Sequence, residues 1–158
     1  MSNVPEHTPP AGERDPLLAE LFAQEVPEVA SGQVEVRAAV REPHVLAKVL
    51  VRSSDPAIDP MEACTGSGAI HVDRIAERLE GERIELLLWH DSPEVLIARA
   101  LGARAVQKVA VDWEKEVATV TVAYADAGAV VGRRGINIEL AQRLCGWRLN
   151  IDVTDLPP

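Results

Sequence analysis

Residues 131–137 read Val-Gly-Arg-Arg-Gly-Ile-Asn, and an amphipathic segment that ends at Cys145-Gly146-Trp147 follows them. Two glycines bracket Arg133 and Arg134 at the point where this pattern predicts the start of a helix. Glycine tolerates positive φ and lets an anion approach the main chain, while a helix start offers free N–H groups and a positive dipole end. The arginines add charge and bidentate donors. The motif therefore predicts a binding site for a phosphate backbone, although such a four-residue pattern also occurs in ordinary tight turns.

A second copy of the motif lies upstream, where residues 66–72 read Gly-Ser-Gly-Ala-Ile-His-Val. When Gly66 is aligned with Gly132, Ile70 meets Ile136, and the match continues through the next strand with one inserted residue. The spacing between the two copies, from Gly66 to Gly132, is too long for a solenoid repeat and fits two small domains in tandem.

The composition predicts a globular protein with aliphatic cores. Of the 158 residues, 47% are hydrophobic, but only five are aromatic (three Trp, one Tyr and one Phe). No apolar run approaches the roughly 18 residues of a membrane span, and the proline-rich residues 1–16 lack the apolar core of a signal peptide. We therefore expect a cytoplasmic protein outside the membrane, with Cys64 and Cys145 as buried free thiols rather than a disulfide.

The net charge of −9 at pH 7 argues against a general affinity for nucleic acid, but the charge is unevenly distributed. Residues 1–30 carry six acids and one arginine, whereas residues 128–150 carry four arginines and one glutamate. A local basic site on an acidic body can bind RNA, with few phosphate contacts and weak non-specific affinity.

Capping signals divide the chain into two units of the same element order. Asp59-Pro60-Met61-Glu62 is typical of a helix start, with Asp as N-cap, Pro at the first position and Glu three residues after the cap. Ser92-Pro93-Glu94 predicts another start, and Pro27 is expected to end the first helix. Each unit is predicted to run helix-strand-strand-helix-helix-strand. The predicted bounds are a disordered tail at 1–15, a first unit at 16–90, a second unit at 91–153 and a C-terminal tail at 154–158.

This element order, with a glycine-bracketed loop between adjacent helices, resembles the type II KH domain of bacteria and archaea. Two in tandem resemble the paired KH domains of the NusA family of transcription elongation and antitermination factors. The resemblance covers roughly residues 17–153 and implies an α+β fold of two tandem type II KH domains, each a three-stranded mixed sheet packed against helices. The stretches that carry it are Glu25-Val-Pro-Glu-Val, Val34-Glu-Val-Arg-Ala, Ala39-Val-Arg-Glu-Pro, Asp55-Pro56 with Asp59-Pro60, Ala63-Cys64-x-Gly66 and Gly132-Arg-Arg-Gly-x-Asn137-x-x-Leu140-Ala141-x-Arg143-Leu144-x-Gly146-Trp147.

The resemblance implies single-stranded RNA binding in transcription elongation, termination or antitermination. The G-x-x-G loop of a KH domain clamps the backbone of about four nucleotides, and the low aromatic content fits an aliphatic groove rather than a stacking platform. The implied partners are RNA and RNA polymerase or elongation factors, and we expect a monomer without a cofactor or catalytic activity. The expected contacts of the second loop are Gly132, Arg133, Arg134, Gly135 and Ile136.

The first loop departs from the family pattern. It lacks the glycine at the fourth place and the basic residue within, and its nearby cationic candidates are His71 and Arg74. It either still contacts RNA or only sets the angle between two helices. Its residues are Gly66, Ser67, Gly68 and Ala69.

Three further polar residues are candidate RNA contacts. The Asn137 side chain either bonds to the backbone or contacts a base or ribose, and we favour the contact. Arg148 and Asn150 lie on the strand that borders the expected groove.

No further Cys or His near Cys64 and His71 falls at a zinc-ligand spacing, and no nucleotide P-loop or nucleophile elbow is present.

Other functions stay open. The family's full-length factor carries a polymerase-binding domain and an OB-fold domain before its KH pair, and residues 1–30 can hold neither. The chain is thus a stand-alone KH pair, which Met1 favours, or a fragment. A KH pair also fits ribosome assembly or an RNA chaperone, and the acidic body fits a protein-interaction module whose RNA binding has decayed.

Overall fold

The computed structural model describes residues 9–157 and folds into two units of the same element order. The first unit contains α1 (Pro16–Glu25), α2 (Pro27–Ala30), β1 (Val34–Glu42), β2 (Leu46–Ser53), α3 (Pro60–Thr65), α4 (Ile70–Arg78) and β3 (Arg83–Leu88). The second contains α5 (Pro93–Leu101), β4 (Val106–Asp112), β5 (Val117–Ala123), α6 (Tyr124–Val131), α7 (Ile136–Cys145) and β6 (Arg148–Thr154). None of these helices has the length and apolar composition of a bilayer span.

Each unit holds a three-stranded mixed sheet. In the first, the central strand β2 pairs antiparallel with β1 and parallel with β3. In the second, β5 pairs in the same way with β4 and β6. A short turn suffices between antiparallel strands, whereas parallel strands need a longer crossover, which α3 and α4 or α6 and α7 provide. The predicted α+β architecture is confirmed, and both glycine loops lie within these crossovers.

Local sequence signals set the helix starts. The Asp59 carboxylate accepts hydrogen bonds from the N–H groups of Met61 and Glu62 at 2.9 and 3.3 Å, and the Ser92 side chain caps α5. Such a cap contributes about 1 kcal/mol. Pro27 follows the end of α1, as predicted, but it also opens the short helix α2, because proline suits the first position of a helix.

The second unit covers one face of the first unit's sheet. Strand β2 is buried continuously from Leu46 to Val51. On one face, its side chains pack with Phe22 of α1; on the other, Leu46 and Leu50 join a cluster that includes Leu144 of α7. Burying an aliphatic side chain of this size contributes about 1.5–3 kcal/mol. This shared core supports one platform rather than two independently moving domains.

An ordered segment, residues 9–15, lies between the two units, where the composition predicts a disordered tail. The Glu13 N–H donates to the Arg143 carbonyl at 2.9 Å, and the Ala39 N–H donates to the Glu13 carbonyl at 2.9 Å. We call residues 9–15 the linking segment. Main-chain bonds of this kind leave no hydrophobic pattern, so the sequence did not reveal them. The rest of the predicted tail, residues 1–8, lies outside the described residues.

Two glycines permit the linking segment to pass so close to α7. A β-carbon added at Gly12 would lie 1.8 Å from the Leu144 carbonyl oxygen, and one at Gly146 would lie 2.7 Å from the Ala11 carbonyl oxygen. Both contacts are with backbone, which cannot rotate away as a side chain does. A side chain at either position therefore has to lift the segment from α7.

Candidate nucleic-acid interface

The second loop makes a left-handed turn between α6 and α7. Gly132 ends α6 with a φ of 81°, Arg134 and Gly135 have φ values of 57° and 73°, and α7 starts at the next residue. No side chain within residues 9–157 caps α7. The Ile136 N–H donates to the Arg133 carbonyl, so the N–H groups that can meet an anion are those of the following residues of the first turn. Neither Arg133 nor Arg134 pairs with a carboxylate of the described chain. The loop therefore presents two uncompensated cations at a helix start.

The first glycine of each loop is required by close packing. A β-carbon at Gly132 would lie 2.7 Å from the β-carbon of Asn137, and one at Gly66 would lie 2.5 Å from the Cδ2 atom of His71. In both units this glycine packs against the residue five positions later. The contact sets how sharply the chain turns into the second helix of the pair.

The first loop keeps the shape of the second loop although its glycine has moved. At the third place, Gly68 has a φ of 62° and Arg134 one of 57°; at the fourth, Ala69 has a φ of 62° and Gly135 one of 73°. At these two places, each loop thus holds one glycine and one ordinary residue with a positive φ. The ordinary residue costs roughly 1–2 kcal/mol in that conformation. The first loop therefore lacks the charge of the second, because Ser67 and Gly68 stand where the second loop has arginines, but Ala69 does not change the path of the loop.

The Asn137 side chain connects three elements of the second unit. Its Nδ2 atom donates to the carbonyl of Val130 in α6 at 2.8 Å and to that of Leu101 at the end of α5 at 3.0 Å. The sequence favours an RNA contact for Asn137, whereas the structure uses its amide nitrogen for bonds to the backbone. These bonds use only the amide nitrogen, and a contact of the Asn137 side chain with RNA stays a prediction. Asn137 therefore positions the loop by fixing the start of α7.

His71 and Arg74 do not restore the missing charge of the first loop. The His71 Nδ1 atom lies 2.8 Å from Oε1 of Glu25, and Arg74 Nη1 lies 3.4 Å from the same oxygen. The pKa of the Glu25 carboxyl is lowered, chiefly by the hydrogen bond with His71 and further by Arg74. Both candidate cations therefore face a carboxylate of α1, while Ser67 at the turn itself is neutral.

Arg148 and Asn150 lie on the edge strand β6, where both are exposed and Leu149 between them is buried. Arg148 adjoins Gln142 and Arg143, at the C-terminal end of α7 beside the linking segment. A helix of this length spans about 15 Å. The structure therefore does not bring Arg148 next to the second loop, which lies at the other end of α7.

A cleft of about 670 Å³ between the two units lies beside the second loop. The sequence alone did not reveal the cations of this cleft, because only the packing of the two units brings them to the loop. One signal was present: Lys48 interrupts the apolar run of β2. The second loop contributes Gly132, Arg133, Ile136 and Asn137, and the opposite side includes Lys48, Arg83, Glu85, Leu87 and Arg99.

The two cysteines have no role in the chemistry of this interface. Cys64 and Cys145 are buried and free, as predicted, and burial raises the pKa of each thiol to about 12. Neither is therefore a thiolate nucleophile at neutral pH. Within residues 9–157, no group of three His, Cys, Asp or Glu side chains is placed to hold a metal ion.

Comparisons with known proteins match both units. The sequence profile of the NusA-like first KH domain matches residues 13–89, and that of the NusA-like second KH domain matches residues 93–156. The transcription termination/antitermination protein NusA of Bacillus subtilis (strain 168) is 37% identical over 135 residues, which are 85% of this chain and 36% of that protein. The protein of the same name from Halalkalibacterium halodurans is 36% identical over 135 residues, 85% of this chain and 35% of that protein.

The chain thus spans about a third of the length of these curated relatives. Among solved structures, the crystal structure of APE1850 covers 85% of this chain and 94% of its own, with a TM-score of 0.56 and 18% identity. At that identity the likeness shows the fold alone. The degenerate loop lies within the first matched domain and the arginine loop within the second. The chain therefore belongs to the NusA-like KH family, with a first and a second KH domain in tandem.

Proposed function

We propose that this chain binds single-stranded RNA through its second loop and acts in transcription termination or antitermination. The observation that carries RNA binding is the pair Arg133 and Arg134, uncompensated at the uncapped start of α7. In this arrangement the phosphates contact the arginines and the N–H groups of the helix start, and the loop spans about four nucleotides. Gly132 and Gly135 have no side chain and let the backbone approach, and Ile136 lines the adjoining cleft. Asn150, on the exposed edge of β6, is a further candidate contact.

The role in transcription is supported by the family and by the names of both relatives. The chain acts in the cytoplasm on nascent RNA, without catalysis or a cofactor, and meets RNA polymerase or elongation factors through that RNA. It acts as a monomer, because each KH domain already covers an apolar face of the other. Light scattering of the purified protein measures its mass, and a dimer would contradict this part of the proposal.

A titration with matched variants tests RNA binding. Arg133→Asp with Arg134→Asp places negative charge against the phosphates and should nearly abolish binding to a single strand. The control is Lys108→Asp with Lys115→Asp, which makes the same charge change on exposed residues of the β4 to β5 region and should bind nearly as the parent does. Duplex RNA should bind more weakly, because the loop and groove admit unstacked bases only. Equal affinity for single and double strands, or equal losses in both variants, would refute the proposal.

Purification of the tagged protein with and without RNase tests the role in transcription. We expect polymerase subunits only before RNase treatment, because the connection runs through RNA. Recovery of small-subunit ribosomal proteins without polymerase would instead support ribosome assembly.

A further inference from the structure

We propose that the cleft between the two KH domains is a second phosphate-binding site, which receives the same RNA strand that the second loop holds. The first KH domain then contacts RNA through its strand β3 and not through its uncharged loop. This inference rests on the proposed RNA binding and specifies the path of the strand. The ligand is a phosphodiester backbone.

The charges that line the cleft favour an anion. Lys48 is 1% exposed, and its Nζ atom lies 2.5 Å from Oε2 of Glu85 on the neighbouring strand. Arg83 Nη2 lies 3.0 Å from the other oxygen of the same carboxylate. One carboxylate thus serves two cations, and a buried cation needs close compensation. The Lys48, Glu85 and Arg83 group keeps a net positive charge on one side of the cleft.

Two guanidinium groups add to this charge. Arg99 Nη1 donates to the Leu88 carbonyl at 2.8 Å, which holds the side chain at the end of β3, and neither Arg99 nor Arg133 has a carboxylate partner in residues 9–157. The cleft therefore has four cations and one carboxylate among its lining residues. A concave surface lined by one sign of charge concentrates the opposite ion.

The cleft is continuous with the second loop. Gly132 and Ile136 belong both to that loop and to the wall of the cleft, so a strand that leaves the loop enters the cleft directly. The loop of the first KH domain offers no such path for phosphate, because His71 and Arg74 pair with Glu25. Exposed Arg83, on β3 of that domain, supplies the missing charge at a different place.

The test compares two lengths of single-stranded RNA, one of about four nucleotides and one about three times as long. Arg83→Glu should leave the affinity for the short strand unchanged and weaken that for the long strand about tenfold, with the salt slope smaller by about 0.7 for each lost phosphate contact. Lys108→Glu is the matched charge reversal outside the cleft and should affect neither strand. Circular dichroism checks the fold, and Arg83→Ala replaces Arg83→Glu if that variant unfolds.

The Glu85→Gln variant should change the affinity for the long strand in the opposite direction. Removing this carboxylate frees Arg83 and removes a repulsion, so the long strand should bind more tightly; a purely structural role of Glu85 predicts no gain. Long-strand binding that is unchanged by Arg83→Glu and not tightened by Glu85→Gln would overturn the cleft proposal. Equal loss for the short and the long strand in Arg83→Glu would overturn it as well. Failure of the proposed function is distinct, because then Arg133→Asp with Arg134→Asp leaves even the short strand bound.

Discussion

Asn137 in the second KH domain and His71 in the first occupy the same place after their loops, and each binds the last residue of its domain's first helix. Asn137 donates to the Leu101 carbonyl at 3.0 Å, and His71 Nδ1 lies 2.8 Å from the Glu25 carboxylate. The chemical groups differ, but the connection is the same. The shape of each loop is thus held by a tertiary contact as well as by glycine.

Replacing Asn137 should therefore destabilise the second KH domain. Asn137→Ala removes both donors and leaves the carbonyls of Leu101 and Val130 without them, which costs about 1–3 kcal/mol. Asn137→Asp should cost more, because it places a negative charge against two carbonyl oxygens. Urea unfolding measures both. If Asn137→Asp is as stable as the parent protein, the hydrogen bonds described above do not form.

The Glu25 contact predicts a pH dependence. The pKa of the folded Glu25 carboxyl lies below its ordinary value of 4.5, so the contact stabilises the fold fully above the unfolded pKa. That stabilisation is lost as the pH falls through the folded pKa. Between about pH 6 and pH 3.5, Glu25→Gln should lose less stability than the parent protein. Glu20→Gln, on the same helix but without a basic partner in the described residues, is the control and should follow the parent.

The left-handed residues of the loops predict opposite effects of glycine and alanine. Ala69→Gly relieves the strained conformation and should stabilise the protein by about 0.5–1 kcal/mol, the strain less the entropy of the added glycine. Gly68→Ala should cost about 1 kcal/mol, because the residue then enters that conformation with a β-carbon. Gly128→Ala, in the interior of α6 with open space around it, should stabilise by about 0.5–1 kcal/mol. Thermal unfolding ranks the three, and a destabilised Ala69→Gly would contradict the loop geometry.

The two loops should be unequal in RNA binding. Ser67→Asp with Gly68→Asp should weaken binding less than Arg133→Asp with Arg134→Asp, because the first loop contributes little charge. Since Asp at position 68 also strains the backbone, circular dichroism must first show that the variant folds. A greater loss in the first-loop variant would reverse our ranking.

The linking segment should couple the two KH domains. Gly12→Ala pushes the segment from α7 and weakens the bond from Glu13 N–H to the Arg143 carbonyl, at a cost of about 1–3 kcal/mol. Hydrogen exchange should then accelerate at the amides of Glu13 and Ala39, which lie on opposite sides of this contact. If the protection of both amides from hydrogen exchange is unchanged, the linking segment does not couple the two KH domains.

The features that depend on local sequence signals were predicted from the sequence. The caps at Asp59 and Ser92, the helix that starts at Ile136 and both glycine loops lie where pattern and propensity put them. It did not predict the bond from Asn137 to Leu101 or the burial of Lys48, because both depend on how distant elements pack. The linking segment was missed for a related reason, since its bonds are made by the main chain and have no side-chain signature.

The burial of Leu50 against Leu144 has a consequence for biosynthesis. A nascent chain presents the first KH domain at the ribosome exit well before α7 has been translated. Until then, the face of β2 that carries Leu46 and Leu50 stays in water, and exposed apolar sheet surface promotes aggregation. The first domain therefore completes its folding only after α7 has been made, because the second domain covers the sheet face that the first domain's own helices leave exposed.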